Sequence, residues 1–156
     1  MTATSATPRL KPPLGFGIFI LVTVIALDVG TRRIGVAVGE GTFAFPHSTV
    51  ERRNVRDDVA AIVAIARERG ARTIVVGDPL TLSGERALAS EQIDAFVTHL
   101  ARAFDGEIAR VDERLTTAAA QKALIAADVS RAKRKKVVDQ LAAVGILETW
   151  QARKPR

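Results

Sequence analysis

Acidic residues stand at three places where packing alone would not choose an acid. Asp28 closes the apolar run Leu21-Val22-Thr23-Val24-Ile25-Ala26-Leu27. Asp112 and Glu113 close Ile108-Ala109-Arg110-Val111. Asp139 lies in Val137-Val138-Asp139-Gln140-Leu141-Ala142-Ala143-Val144, with Ala142 and Ala143 at i+3 and i+4 on its side. A carboxylate buried alone costs several kcal/mol unless it is paired or bound to a cation. Carboxylates gathered from two strand ends and a helix make a hard-oxygen site that suits Mg²⁺ or Mn²⁺. Two such ions about 4 Å apart are the usual clamp for in-line phosphodiester hydrolysis. Each acid also has a plainer reading. Asp112 and Glu113 fit the start of a helix over Leu115-Thr116-Thr117, and Asp139 fits an ion pair with Lys135 or Lys136 one turn away.

These acids need elements to hold them, and the patterning supplies a readable order. A first strand spans about 21–27, with a tight turn at Gly30 leading to a second at Arg33–Val38 and then a third at Phe43–Val50. Val59, Ile62, Val63 and Ala66 keep helical spacing within Val55–Glu68, and Gly70 stands at the C-terminal end. Thr73–Val76 is an apolar strand stopped by Gly77-Asp78-Pro79. A second helix spans Glu85–Phe104, with Ser83 as a cap and Ile93, Phe96, Val97 and Leu100 as its stripe. Glu107–Val111 is a fifth strand, and helices follow at Thr116–Ala126 and at Lys133 to about Ala152. Short turns imply antiparallel pairing of the first three strands, and alternation with helices implies parallel pairing of the later ones. The fold class is α/β, a mixed five-stranded sheet with helices on both faces. Ligand sites in such sheets form at strand ends, where Asp28, Asp112 and Glu113 stand.

Composition narrows the chemistry further. The 156 residues contain no Cys, which excludes a disulfide scaffold, a thiol nucleophile and Cys-ligated zinc or iron–sulfur sites. His47 and His99 are far apart and start no metal-ligand spacing. The net charge of +6 is entirely local: residues 129–156 hold eight Lys/Arg against two acids, while residues 1–128 are balanced. Five of these cations, Arg131, Lys133, Arg134, Lys135 and Lys136, directly precede Asp139. Cations at a helix N-terminus are mildly unfavourable, a cost that a polyanionic partner would offset.

Residues 1–14, small, polar and Pro-containing, read as a disordered leader. The apolar run Gly15–Leu27 is shorter than a membrane span and no small-residue cleavage site follows it, so the expectation is a cytoplasmic protein with no membrane association. The resulting organisation is an apolar leader at 1–20, one domain at 21–152 and a basic tail at 153–156.

Four segments together resemble the YqgF (RuvX) family: Ala26–Ala37 (ALDVGTRRIGVA), Val75–Leu80 (VVGDPL), Val111–Thr117 (VDERLTT) and Lys136–Ala143 (KVVDQLAA). These are compact RNase H-like proteins related to the RuvC-type Holliday junction resolvases, and are described as nucleases that process the 5′ end of pre-16S rRNA. The resemblance covers about residues 22–152. It implies an RNase H-like fold and a divalent-metal phosphodiesterase site with Mg²⁺ or Mn²⁺, two ions, held by Asp28, Glu113 and Asp139. Asp112 becomes a secondary ligand or an orienter of Arg114. Gly30 would serve the tight turn and Gly35 a close backbone approach. Arg33 and Arg114 would contact phosphates or pair with the acids, and Arg131, Lys133, Arg134, Lys135 and Lys136 would draw the strand across the site. Thr116 and Thr117 read as helix caps. Two features depart from the family: Asp78 stands where an apolar residue is usual, and the apolar leader is long.

Two rival readings remain open at this stage. Asp28-Val29-Gly30-Thr31 also resembles the first phosphate loop of actin-like and sugar-kinase ATPases, but those enclose ATP between two domains, and 156 residues supply one. A non-catalytic ribosome-assembly factor would keep the fold and the basic helix without the chemistry. The resemblance implies a nucleic-acid partner, either pre-rRNA or branched DNA. Aromatic residues are only 4%, with no Tyr and one Trp, so recognition should follow backbone shape rather than base stacking. Junction cleavage calls for a homodimer, so that two sites cut two strands; Phe96 and Trp150 fit either the core or such a contact.

Overall fold

The computed structural model describes residues 22–78, 87–113 and 131–153. The elements are β1 (Thr23–Val29), β2 (Arg33–Glu40), β3 (Phe43–Glu51), α1 (Val55–Glu68), β4 (Thr73–Asp78), α2 (Ala87–Ala103), β5 (Glu107–Asp112) and α3 (Arg131–Arg153). The leader, Pro79, the Ser83 cap, Arg114, the Thr116–Ala126 helix and the tail beyond Arg153 lie outside the described residues.

The five strands form one sheet in the order β3-β2-β1-β4-β5. β1 pairs antiparallel with β2, and β2 with β3, while β1–β4 and β4–β5 are parallel. β1 is therefore central. Its C-terminal end lies level with those of β4 and β5 and with the start of β2. The expected mixed sheet is present, with helices on both faces.

The two faces differ in side-chain size. Ile25, Leu27, Ile34, Val36, Ile74 and Val76 point to one face, where Val59, Ile62 and Val63 of α1 and Ile93, Phe96 and Leu100 of α2 cover them. Phe96 is thus core, fully buried. The opposite face presents Val24, Ala26, Ala37, Val75 and Val111, and Ala143, Val144, Ile146 and Leu147 of α3 pack on it. Trp150 packs at the edge of that second cluster. Successive strand residues alternate faces, so Gly35, Gly39 and Gly77 also belong to the α3 face. Large residues hold α1 and α2 off the sheet; small ones let α3 lie close against it.

The helix ends follow local rules. Asn54 caps α1, its side chain accepting from the Asp57 N–H at 2.9 Å. Gly70, at φ 64°, takes the left-handed conformation just beyond α1. No helix among the described residues is long and apolar enough to cross a membrane.

Candidate metal centre

Asp28 lies within β1, opposite Gly35 of β2, and is 6% exposed. Strand alternation places it with Val24 and Ala26 on the α3 face. Its neighbours across the sheet on that face are glycines. Gly35 flanks it on one side, and Gly77 of β4 stands one residue past the Leu27↔Val76 pair on the other.

Each glycine makes room for another acid. A Cβ on Gly35 would run into the backbone carbonyl of Asp139, so α3 rests its Asp139 peptide directly on β2. A Cβ on Gly77 would lie 2.6 Å from Glu113 Oε1 and would also strike Ile146 Cδ1. Glu113 therefore reaches over Gly77, beside α3. Asp28, Glu113 and Asp139 occupy one face at one end of the sheet, with Asp28 between the other two.

Asp112 is separated from them. It pairs in register with Asp78 of β4, and alternation turns it away from Val111 and toward the α1/α2 face. Asp78, for which the sequence suggested no role, meets Arg110 on that same face. Arg110 Nη2 lies 3.0 Å from Asp78 Oδ2, and its Nη1 lies 2.6 Å from Asp94 Oδ1 of α2. This is an ion-pair network behind the site.

Asp139 is held from two sides. Arg33 Nε donates to its Oδ2 at 3.0 Å, so the ion-pair alternative for Arg33 is realised. The start of α3 is tied to β3: Thr49 Oγ1 donates to the Lys136 carbonyl at 3.1 Å, and Gln140 Nε2 donates to Thr49 Oγ1 at 3.1 Å. Thr49 lies outside the four motif segments and Gln140 stands next to Asp139 within the last of them; their contacts fix the start of α3 on β3. Lys136 is exposed; Arg131, Lys133, Arg134 and Lys135 lie on the preceding turns of α3.

The turn between β1 and β2 is tight. The Gly30 N–H donates to the Arg33 carbonyl at 2.9 Å, and a Cβ on Gly30 would press on that same oxygen. Behind the turn, Arg52 Nη1 donates to the Gly30 carbonyl at 2.9 Å and its Nε donates to buried Asp58 at 3.1 Å. His47, on the edge strand, is bonded to Ser48; burial and then the Arg69 charge hold its imidazole below the ordinary histidine pKa.

The donor set suits a hard divalent cation: three carboxylates, no sulfur, no imidazole. Among the described residues, no three acids or histidines yet converge closely enough to share an ion. Asp139 accepts from Arg33 through one of its two oxygens, Oδ2.

Comparison with known proteins fits this arrangement. The family model RuvX, described as Holliday junction resolvase, matches residues 22–153. A Clostridium perfringens protein named "Putative pre-16S rRNA nuclease" is 41% identical over 129 residues, 81% of this chain and 94% of the relative. One of the same name from Clostridium tetani is 42% identical over 129 residues, covering 81% and 94%. The chain belongs to the RuvX family. Among solved structures, RuvC of T. thermophilus in complex with Holliday junction substrate superposes with a TM-score of 0.53 at 16% identity, over 85% of this chain and 95% of that one. That likeness establishes the fold as RNase H-like. The four segments that carry the RuvX resemblance supply Asp28, Gly35, Gly77, Glu113 and Asp139, which lie on one face near the C-terminal end of β1.

Proposed function

We propose that the chain is a divalent-metal-dependent nuclease that hydrolyses phosphodiester bonds in structured nucleic acid, and that its substrate is pre-16S rRNA. Hydrolysis of nucleic-acid ester bonds follows from membership of the RuvX family. The observation that carries the site is Asp28 flanked by two glycines, with Asp139 over one and Glu113 over the other. Asp28, Glu113 and Asp139 would provide the oxygen ligands to Mg²⁺ or Mn²⁺, which would supply an activated water and neutralise charge at the phosphate. Arg33, at the edge of the same site, offers a non-bridging phosphate oxygen the N–H groups that Asp139 does not use. The basic start of α3 attracts the strand.

The substrate choice rests on the name carried by the relatives; the name of the family model favours a four-way DNA junction instead. Cleavage of a pre-rRNA fragment, single-stranded RNA and a four-way junction, side by side in Mg²⁺ and Mn²⁺, decides it. Faster cutting of the pre-rRNA fragment supports the proposal. Preferred cutting of the junction by a homodimer replaces it with resolution, and binding without cutting leaves an assembly factor.

Two further outcomes are expected. Changing Arg134, Lys135 and Lys136 together to Ala should weaken RNA binding and flatten its log–log salt dependence, by roughly 0.7 to 0.9 per lost phosphate contact. An unchanged slope in a salt titration would make the run a spectator. Gly77→Ala should displace the Glu113 and Ile146 side chains. A displacement of about 1 Å can cost a hundredfold in rate, against roughly 1–3 kcal/mol of stability for overpacking. Cleavage rates and thermal melts on the same preparation separate the two effects.

A further inference from the structure

Two hollows flank the β1–β2 turn. One, of about 160 Å³, is lined by Gly30, Thr31, Arg32, Arg33 and Asp139 and belongs to the acid face. The other, of about 120 Å³, is lined by Val29, Gly30, Thr31, Arg52, Gln92 and Ile93, and the proposed reaction leaves it unused. Gly30 and Thr31 line both, so a strand crossing the turn passes from one to the other.

Arg52 is fixed in the second hollow. Its backbone N–H donates to the Arg32 carbonyl at 2.9 Å, its Nη1 to the Gly30 carbonyl at 2.9 Å and its Nε to Asp58 Oδ2 at 3.1 Å. Asp58 is 2% exposed, and its other oxygen accepts the Arg53 N–H at 2.9 Å. The guanidinium carbon lies 6.0 Å from the Phe96 ring centroid. These contacts use two of the five side-chain N–H groups, and the others have no partner among the described residues. A guanidinium oriented by a carboxylate on one edge loses little freedom when it takes a second anion on another.

We propose that this hollow is a second phosphate subsite, in which Arg52, with Thr31 and Gln92 at its rim, contacts a backbone phosphate adjacent to the scissile one. The proposal rests on the nuclease reading above. Asp58 offsets the charge of Arg52, so the subsite adds a contact to a strand already bound and does not capture free inorganic phosphate.

The test is equilibrium binding of a labelled single-stranded RNA oligonucleotide in Ca²⁺, titrated with salt, with neutral methylphosphonates scanned along the strand. Arg52→Gln is expected to bind about tenfold more weakly, the scale of one charge-assisted hydrogen bond, with a salt slope lower by about 0.7. One methylphosphonate position should weaken binding to the wild type and add nothing to the Arg52→Gln loss. Because Arg52 also braces the turn, Gln92→Glu at an exposed helix position is the second variant; its added negative charge should weaken binding with the melting temperature unchanged. Wild-type affinity and slope in both variants would overturn the subsite. Asp28→Asn, assayed for cleavage alongside, keeps the two readings apart: if it still cuts, the acid site is misassigned; if it is inactive while both variants bind normally, only the subsite falls.

Discussion

Asp28→Asn is expected to slow metal-dependent cleavage by on the order of a thousandfold while the protein stays folded. On the proposed reading Asp28 would be a ligand to cations that contribute several kcal/mol of transition-state stabilisation, at about 1.4 kcal/mol per tenfold, and its loss sets that rate effect. The fold should survive because Asn keeps the shape and one carbonyl oxygen of the side chain. Melting should stay within about 4 °C of wild type, the shift that roughly 1 kcal/mol produces at this chain length. Glu113→Gln and Asp139→Asn should behave alike, the latter also losing the partly exposed Arg33 ion pair, worth about 0–1 kcal/mol. Asp112→Asn, on the opposite face, should lose far less and serves as the control acid. Single-turnover rates and melts of the four proteins are the measurement. Wild-type rates in all three site variants would place the chemistry elsewhere, and loss only in Asp112→Asn would invert the assignment of faces.

Much of that geometry was legible locally. Apolar β-branched runs and short turns predicted the antiparallel β1–β2–β3 start, and the helical spacing predicted α1 at Val55–Glu68, as observed. The strand ends were less legible, for a physical reason. Hydropathy ends at Leu27, but the ladder continues through Asp28↔Gly35 and Val29↔Ile34. Periodicity reports burial, whereas a ladder needs only backbone, so an acid can sit inside a strand. The doublet Asp112-Glu113 is uniform in sequence, and only the pleat divides it between two faces. Asp78 had no visible purpose because its partners, Arg110 and Asp94, come from a neighbouring strand and a helix. The Arg33–Asp139 pair spans 106 residues and the Thr49–Gln140 pair 91. No local rule pairs residues at such separations; the close approach of α3 to the small-residue face does so.

Gly35→Ala is expected to be the most damaging single methyl group that can be added at the site. Its Cβ would enter the space of the Asp139 carbonyl, and a helix backbone cannot swing aside as a side chain can. Accommodation requires moving α3, which is anchored by Ala142, Ala143, Val144, Ile146 and Leu147, all buried. The cost should reach the top of the overpacking range, about 3 kcal/mol, lowering the melting temperature by on the order of 10 °C. Any retreat of α3 also carries Asp139 away from Asp28, so cleavage should fall by about a hundredfold or more even where the protein remains folded. Gly39→Ala is the matched control on the same strand and face. Its Cβ would meet Leu147 Cδ2 at 2.9 Å and Gln151 Nε2 at 3.0 Å, both ends of flexible side chains that can yield. It should therefore cost less stability and leave cleavage near wild type. Equal behaviour of the two variants in melts and rates would mean that the peptide of Asp139 does not rest on β2, and that the helix carrying this acid is held by its apolar face alone.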